Sequence, residues 1–180
     1  MPLLQDAPVT KFQRVEDAEA PRRVCFVCTG NTCRSPMAAA VANALAHREI
    51  LRLPNTLQDL ATPSLEAFSA GLFAQEGDPI AAHAVRALEI ADIPSIPKWD
   101  YHNHTAHTIT SEEAETYDLL IGLTRQHAMS LLMSFPHLAQ KITVFPSDIS
   151  DPYGGSLQDY ERCLEQICHG VTALLFSEAQ

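Results

Sequence analysis

Cys28 and Arg34 stand six positions apart, and the residues between them, Thr29-Gly30-Asn31-Thr32-Cys33, are small or polar. One cysteine, five residues and one arginine make the set that phosphoryl transfer to sulfur needs. A loop of that length can curl so that the amides of Thr29, Gly30, Asn31, Thr32 and Cys33 point inward and hold a phosphate. The Cys28 sulfur then lies below the phosphorus, and the Arg34 guanidinium forks onto the phosphate oxygens. A helix N-terminus and a nearby arginine both favour the thiolate, the form that attacks phosphorus. Gly30 is expected to permit the tight inward turn. Asn31 tolerates left-handed backbone and can brace the loop from within.

Such a loop has to hang between a buried strand and a helix start, and its flanks supply both. Arg22 to Val27 is a near-continuous apolar run, as in a central parallel strand. Ser35 is placed to cap the helix that follows, Pro36 fits its first turn, and good helix formers run on to Leu51. Further along, strands are expected at Leu65–Ala70, Asp118–Leu123 and Lys141–Phe145. Helices are expected at Pro79–Ile90, Arg125–Met133 and Leu157–Phe176. Thr110-Ser111-Glu112-Glu113 reads as a capping box opening a short helix. Alternation of this kind predicts an α/β fold, a four-stranded parallel sheet with helices on both faces. Ligands in such folds sit beyond the C-terminal strand ends, an edge that both Cys28 and Asp151 can reach.

The chain has 180 residues, enough for one domain with a real core. Residues 1–21 read as a flexible extension and 22–180 as a single domain. Against 12 lysines and arginines stand 22 aspartates and glutamates, for a net charge of −10. That acidic surface argues against nucleic acid and anionic membrane as partners. No apolar run approaches the roughly 20 residues of a membrane span, and Met1 to Pro21 lacks the pattern of a signal peptide. Five cysteines without paired spacing suggest a reducing compartment, with the cytoplasm as the default. Oligomeric state is not legible.

The stretch Cys28-Thr29-Gly30-Asn31-Thr32-Cys33-Arg34-Ser35-Pro36 resembles the low-molecular-weight protein phosphatase family, whose loop reads Cys-x-Gly-Asn-x-Cys-Arg-Ser-Pro. The resemblance runs from about Arg22 to the C-terminus and includes a second signature, Asp151-Pro152-Tyr153-Gly154-Gly155-Ser156. It implies hydrolysis of a phosphorylated protein through a phosphocysteine, without metal or other cofactor. Cys28 would be the nucleophile, Arg34 the phosphate ligand, and Asp151 the general acid and then the base for water. Ser35 would bond the thiolate, Asn31 the loop backbone, and Ser69 would brace Asn31. Tyr153 would line the pocket mouth. Threonine at position 29 resembles the branch of the family that acts on phosphoarginine, where tyrosine phosphatases place leucine or isoleucine.

Other features read more plainly. A reversible disulfide between Cys28 and Cys33 could shield the nucleophile from over-oxidation. Cys163 and Cys168 are expected in the core. His102, His104 and His107 lack companions at ligand spacing and read as an exposed polar loop rather than a metal site. The segment 93–107 also departs from the family, and a histidine that several relatives carry near Asp92 is missing, which leaves the support of Asn31 open. Two rival functions use the same fold. An arsenate reductase would need relay cysteines, and none lies between Cys33 and Cys163. A non-catalytic phosphate-binding module would have no use for an intact Cys28, Arg34 and Asp151.

Overall fold

The computed structural model describes residues 20–176 apart from 53, 55–57, 59–62 and 97. The extension read at residues 1–21 therefore lies almost wholly outside the described residues. Four strands, β1 (Arg22–Cys28), β2 (Leu65–Gly71), β3 (Leu119–Gly122) and β4 (Ile142–Val144), form one sheet in the order β2-β1-β3-β4, and every pairing is parallel. The helices are α1 (Arg34–Leu51), α2 (Ala82–Ile90), α3 (Ser111–Glu115), α4 (Arg125–Ser134) and α5 (Leu157–Val171), the last followed by a π turn over Thr172–Phe176. The expected helix at Pro79–Ile90 thus starts three residues later, and the expected final helix changes hydrogen-bond register before its end. No helix among the described residues is long and apolar enough to cross a membrane.

Strand β1 explains why its sequence is apolar throughout. Val24 and Phe26 face one core, with α1, α2 and α5, while Cys25 and Val27 face a second core with Tyr117, Leu120, Leu131 and Phe135. Alternate residues point to opposite faces, so a strand covered on both sides must be apolar at every position. The sequence order of strands reverses direction beside β1, between β1 and β3. The crevice at the C-terminal end of β1 is therefore the switch point of the sheet, the usual ligand position in open α/β folds. Cys28 ends that strand.

Two glycines allow the close approaches that shape this edge. A β-carbon at Gly71 would fall 2.8 Å from the Thr29 carbonyl oxygen and 3.2 Å from Asn31 Cβ, so only glycine lets β2 end against the loop. A β-carbon at Gly122 would lie 2.8 Å from Ala128 Cα, so glycine there lets the first turn of α4 lie flat on the end of β3. Helix α2 closes with a left-handed Asp92 (φ 55°). The Ile93 amide bonds Leu88 O, and the Asp92 amide bonds Glu89 O, the double closure of a Schellman motif.

The middle of the free edge of β2 is covered by a side chain. Asn43, buried on α1, donates to Ala67 O (2.8 Å) and accepts from Ala67 N (2.9 Å). Asn43→Ala leaves both backbone groups without a partner in a dry site. Thermal denaturation is expected to show a loss of about 1–3 kcal/mol, the desolvation cost of such groups, with KM unchanged. An unchanged melting temperature would mean that water replaces the amide.

Candidate active site

The nucleophile loop runs from the end of β1 to the start of α1. Cys28 Sγ lies 3.1 Å from Ser35 Oγ. The Ser35 hydroxyl has two acceptors for its single proton, the sulfur and the Ala70 carbonyl at 3.3 Å. With the thiol it can accept from S–H and donate to Ala70; with the thiolate it can turn its proton to sulfur. Ser35 is inside α1 and makes no capping bond; Cys33 holds the N-cap position without a side-chain cap. The expectation that Ser35 caps the helix is corrected: its hydroxyl is spent on Cys28 and Asn31 instead. Pro36 does lie in the first turn.

Asn31 is the hub of the loop. Its φ is 56°, while Gly30 is not among the residues with positive φ. The left-handed turn that lets the loop curl is thus taken by Asn31, and a β-carbon at Gly30 would meet only Thr32 Oγ1, at 3.9 Å. The Asn31 amide donates to Ser35 Oγ and Ser69 Oγ, both at 3.0 Å. Its side-chain oxygen accepts the His107 amide (3.1 Å), and its carbonyl accepts His104 Nε2–H at 2.7 Å. Ser69 therefore stands where the resemblance put it.

His104 and His107 do not. Expected in an exposed polar loop, both are partly buried and hold the phosphate loop from below. Burial pushes the His104 imidazole down, consistent with a neutral ring whose one proton goes to Asn31. His107 is pushed up by its hydrogen bond to the Glu113 carboxylate, at 3.0 Å. Glu113 also accepts from Tyr117 Oη at 2.6 Å. Only half of the expected capping box forms in consequence: Thr110 accepts the Glu113 amide, while the Glu113 carboxylate turns to His107 and Tyr117. His102 alone is an exposed histidine of the expected kind, beside Asp100 and Glu89. The open question of what supports Asn31 without a histidine near Asp92 is answered by the 104–107 segment.

Arg34 is buried and fully committed on one side. Its NH1 donates to Ile149 O (3.2 Å), and its NH2 donates to Asp151 Oδ2 at 2.7 Å. Its buried Nε has no hydrogen-bond partner among the described residues. A buried guanidinium donor left without a partner can take a phosphate oxygen. Asp151, about half exposed at 51%, also accepts the Tyr153 amide through Oδ1 (3.2 Å), which fixes the start of its loop. The candidate acid and the candidate phosphate ligand, 117 residues apart in sequence, thus meet directly.

Cys33 turns away from this pair. Its thiol is 3.3 Å from Tyr160 Oη, burial pushes it up, and all five cysteines are free. Cys163 and Cys168 are in the core, each pushed up by burial to about 12. The Thr32 carbonyl accepts the Ala81 amide at 2.8 Å, which ties the loop to the start of α2.

Sequence reasoning missed two neighbours of Thr29. His127, in the first turn of α4, places Nε2 3.0 Å from Thr29 Oγ1; the only signal for it was Thr124, an N-cap residue three positions earlier. Phe73, 79% exposed, donates its amide to the Thr29 carbonyl at 2.9 Å. With Tyr153, 78% exposed, it is one of two large aromatic side chains left open around the loop.

Known proteins resemble this chain in sequence and in fold. A Bacillus subtilis protein described as a protein-arginine-phosphatase is 32% identical over 151 residues, covering 80% of this chain and 88% of its own. A low-molecular-weight protein tyrosine phosphatase from T. tengcongensis superposes with a TM-score of 0.69 at 33% identity, covering 86% and 97% of the two chains. A mutant of the arginine phosphatase YwlE, solved with a phosphorylated active-site serine, gives 0.68 at 29% identity over 84% and 92%. The sequence profile described as "Low molecular weight phosphotyrosine protein phosphatase" matches residues 23–180. The chain belongs to that family and is a cysteine-dependent protein phosphatase.

Proposed function

We propose that Cys28, Arg34 and Asp151 carry the reaction and that its preferred substrate is phosphoarginine on proteins. The Cys28 thiolate attacks phosphorus, the bond from phosphorus to the leaving nitrogen breaks, and Asp151 supplies that nitrogen with a proton. The product is a phosphocysteine. Water, deprotonated by the Asp151 carboxylate, then attacks phosphorus; the S–P bond breaks and phosphate leaves with the thiolate regenerated. Arg34 and the amides of Thr29 to Cys33 hold the equatorial oxygens throughout. The observation that supports this reading is the Arg34–Asp151 contact at 2.7 Å, which joins the candidate phosphate ligand to the candidate acid.

The preference for phosphoarginine rests on Thr29. A hydroxyl in the wall beside phosphorus can meet a polar guanidinium or orient water, and it packs poorly against a phenyl ring. Asp151 can bind the same guanidinium while passing its proton. A relative from Bacillus subtilis is described as a protein-arginine-phosphatase. A second reading, phosphotyrosine, draws on the open aromatic faces of Phe73 and Tyr153. Rates on phosphoarginine and phosphotyrosine peptides, measured side by side, decide between them. Thr29→Ile removes the hydroxyl and adds an apolar face. It is expected to move the kcat/KM ratio toward phosphotyrosine by about 10- to 100-fold, the worth of one changed wall group. Faster cleavage of phosphotyrosine by wild type, with a ratio indifferent to Thr29→Ile, would establish the second reading. The proposal places the enzyme in the cytoplasm, as one phosphatase domain over residues 22–180, with phosphorylated proteins as partners and neither nucleic acid nor membrane.

A further inference from the structure

His127 has no part in the steps above, yet it sits beside them at 6% exposure. Both ring nitrogens are engaged, Nδ1 with Thr124 Oγ1 and Nε2 with Thr29 Oγ1, each at 3.0 Å. A histidine that served only the helix start would need the first of these and not the second. Burial, and after it the Arg34 charge, push the imidazole down to about 4, while Asp151 and Asp148 oppose the shift. The ring is therefore neutral at neutral pH, with one donor nitrogen and one acceptor. Thr124 Oγ1 already accepts the His127 amide at 3.2 Å, and its own proton is free to go to Nδ1, the pairing that puts the ring proton on Nε2. Nε2–H is then the donor to Thr29, and Thr29 keeps its hydroxyl proton and one lone pair.

That bond settles a real ambiguity. The Thr29 β-carbon carries a methyl and a hydroxyl, and a staggered rotation exchanges them. Thr29 is exposed, so packing does not choose between the two. We infer that His127 is a positioning residue that fixes which face of Thr29, hydroxyl rather than methyl, the substrate meets, and thereby sets the preference for a guanidinium over an aryl leaving group. This rests on Thr29 facing the substrate, as proposed above.

The test compares kcat and KM on a phosphoarginine peptide and a phosphotyrosine peptide for wild type, Thr29→Val, His127→Phe, His127→Gln and the Thr29→Val/His127→Phe double variant. His127→Phe keeps a ring but loses the donor. It is expected to lower the phosphoarginine-to-phosphotyrosine ratio of kcat/KM about tenfold, the worth of one hydrogen bond in a transition state. His127→Gln, whose amide can replace Nε2–H, should restore the ratio to within about twofold. In the Thr29→Val background His127→Phe should leave the ratio unmoved. A shift with Thr29→Val but an equal loss on both substrates with His127→Phe would overturn the inference and spare the reading of Thr29. No shift with Thr29→Val would overturn both. Should His127→Phe fail to fold, nitrogen NMR of the His127 ring decides: an Nε2–H tautomer whose signals move in Thr29→Val supports the bond, and signals indifferent to Thr29→Val overturn it.

Discussion

Cys28→Ser abolishes turnover and leaves phosphate binding in place. An alcohol at this position stays protonated near neutral pH and is a poor nucleophile toward phosphorus, whereas sulfur is intrinsically the stronger nucleophile. The binding apparatus touches the sulfur through Ser35, a bond that a hydroxyl at position 28 can also make. Asn31 is braced by Ser35, Ser69, His104 and His107, and Arg34 by Ile149 and Asp151. None of these contacts passes through Cys28. Steady-state hydrolysis is expected to fall by at least about 10⁴-fold, the scale on which covalent nucleophiles are lost, while titration calorimetry with inorganic phosphate gives an affinity near that of wild type. Acid-quenched wild type, digested and analysed by mass spectrometry, should carry phosphate on the Cys28 peptide. Turnover surviving in Cys28→Ser, or phosphate found on another side chain, would remove Cys28 from the mechanism.

The sequence made this part of the site readable because the chemistry is contiguous. Nucleophile, amides, phosphate ligand and helix start all lie between residues 28 and 36, and a loop of fixed length leaves few ways to fold. The strand–loop–helix setting was equally plain, since β1 has to be apolar on both faces to sit mid-sheet. What holds the loop was not readable. The bonds from His104 and His107 to Asn31 span 73 and 76 residues, and that from His127 to Thr29 spans 98. No local period announces them. The 93–107 segment, with its prolines and isolated polar residues, looked like a solvated loop because its partners lie on another element. Its first residue leaves a Schellman turn, and at Thr108 it bridges the end of β2 in parallel with Gly71. The loss of a family histidine near Asp92 was visible; its replacement by His107's backbone amide was not, because a backbone donor leaves no mark in sequence. Glu113 shows the same limit in reverse. Its place in a capping box was a sound local reading, but a partly buried histidine and the Tyr117 hydroxyl take the carboxylate instead.

Asp151→Asn lowers the rate by roughly two to four orders of magnitude on phosphoarginine, the usual worth of a positioned proton donor. In the free enzyme the carboxylate is tied through Oδ2 to Arg34 and through Oδ1 to the Tyr153 amide. A phosphoryl group competes for the guanidinium, since it offers several anionic oxygens where the carboxylate offers one contact. Its arrival frees Asp151 to face the leaving group. Breaking a P–N bond without a proton would expel a strongly basic guanidine nitrogen, so the barrier rises when the donor is replaced by an amide. The size of the loss should therefore track the leaving group. A substrate such as p-nitrophenyl phosphate, whose leaving group is stable as an anion, should lose far less in the first step. Its residual deficit should appear in the second, where water needs a base, so phosphocysteine should accumulate in Asp151→Asn under rapid quench. An equal loss on every leaving group, with no accumulated phosphocysteine, would mean that Asp151 serves to place Arg34 and that the proton comes from elsewhere.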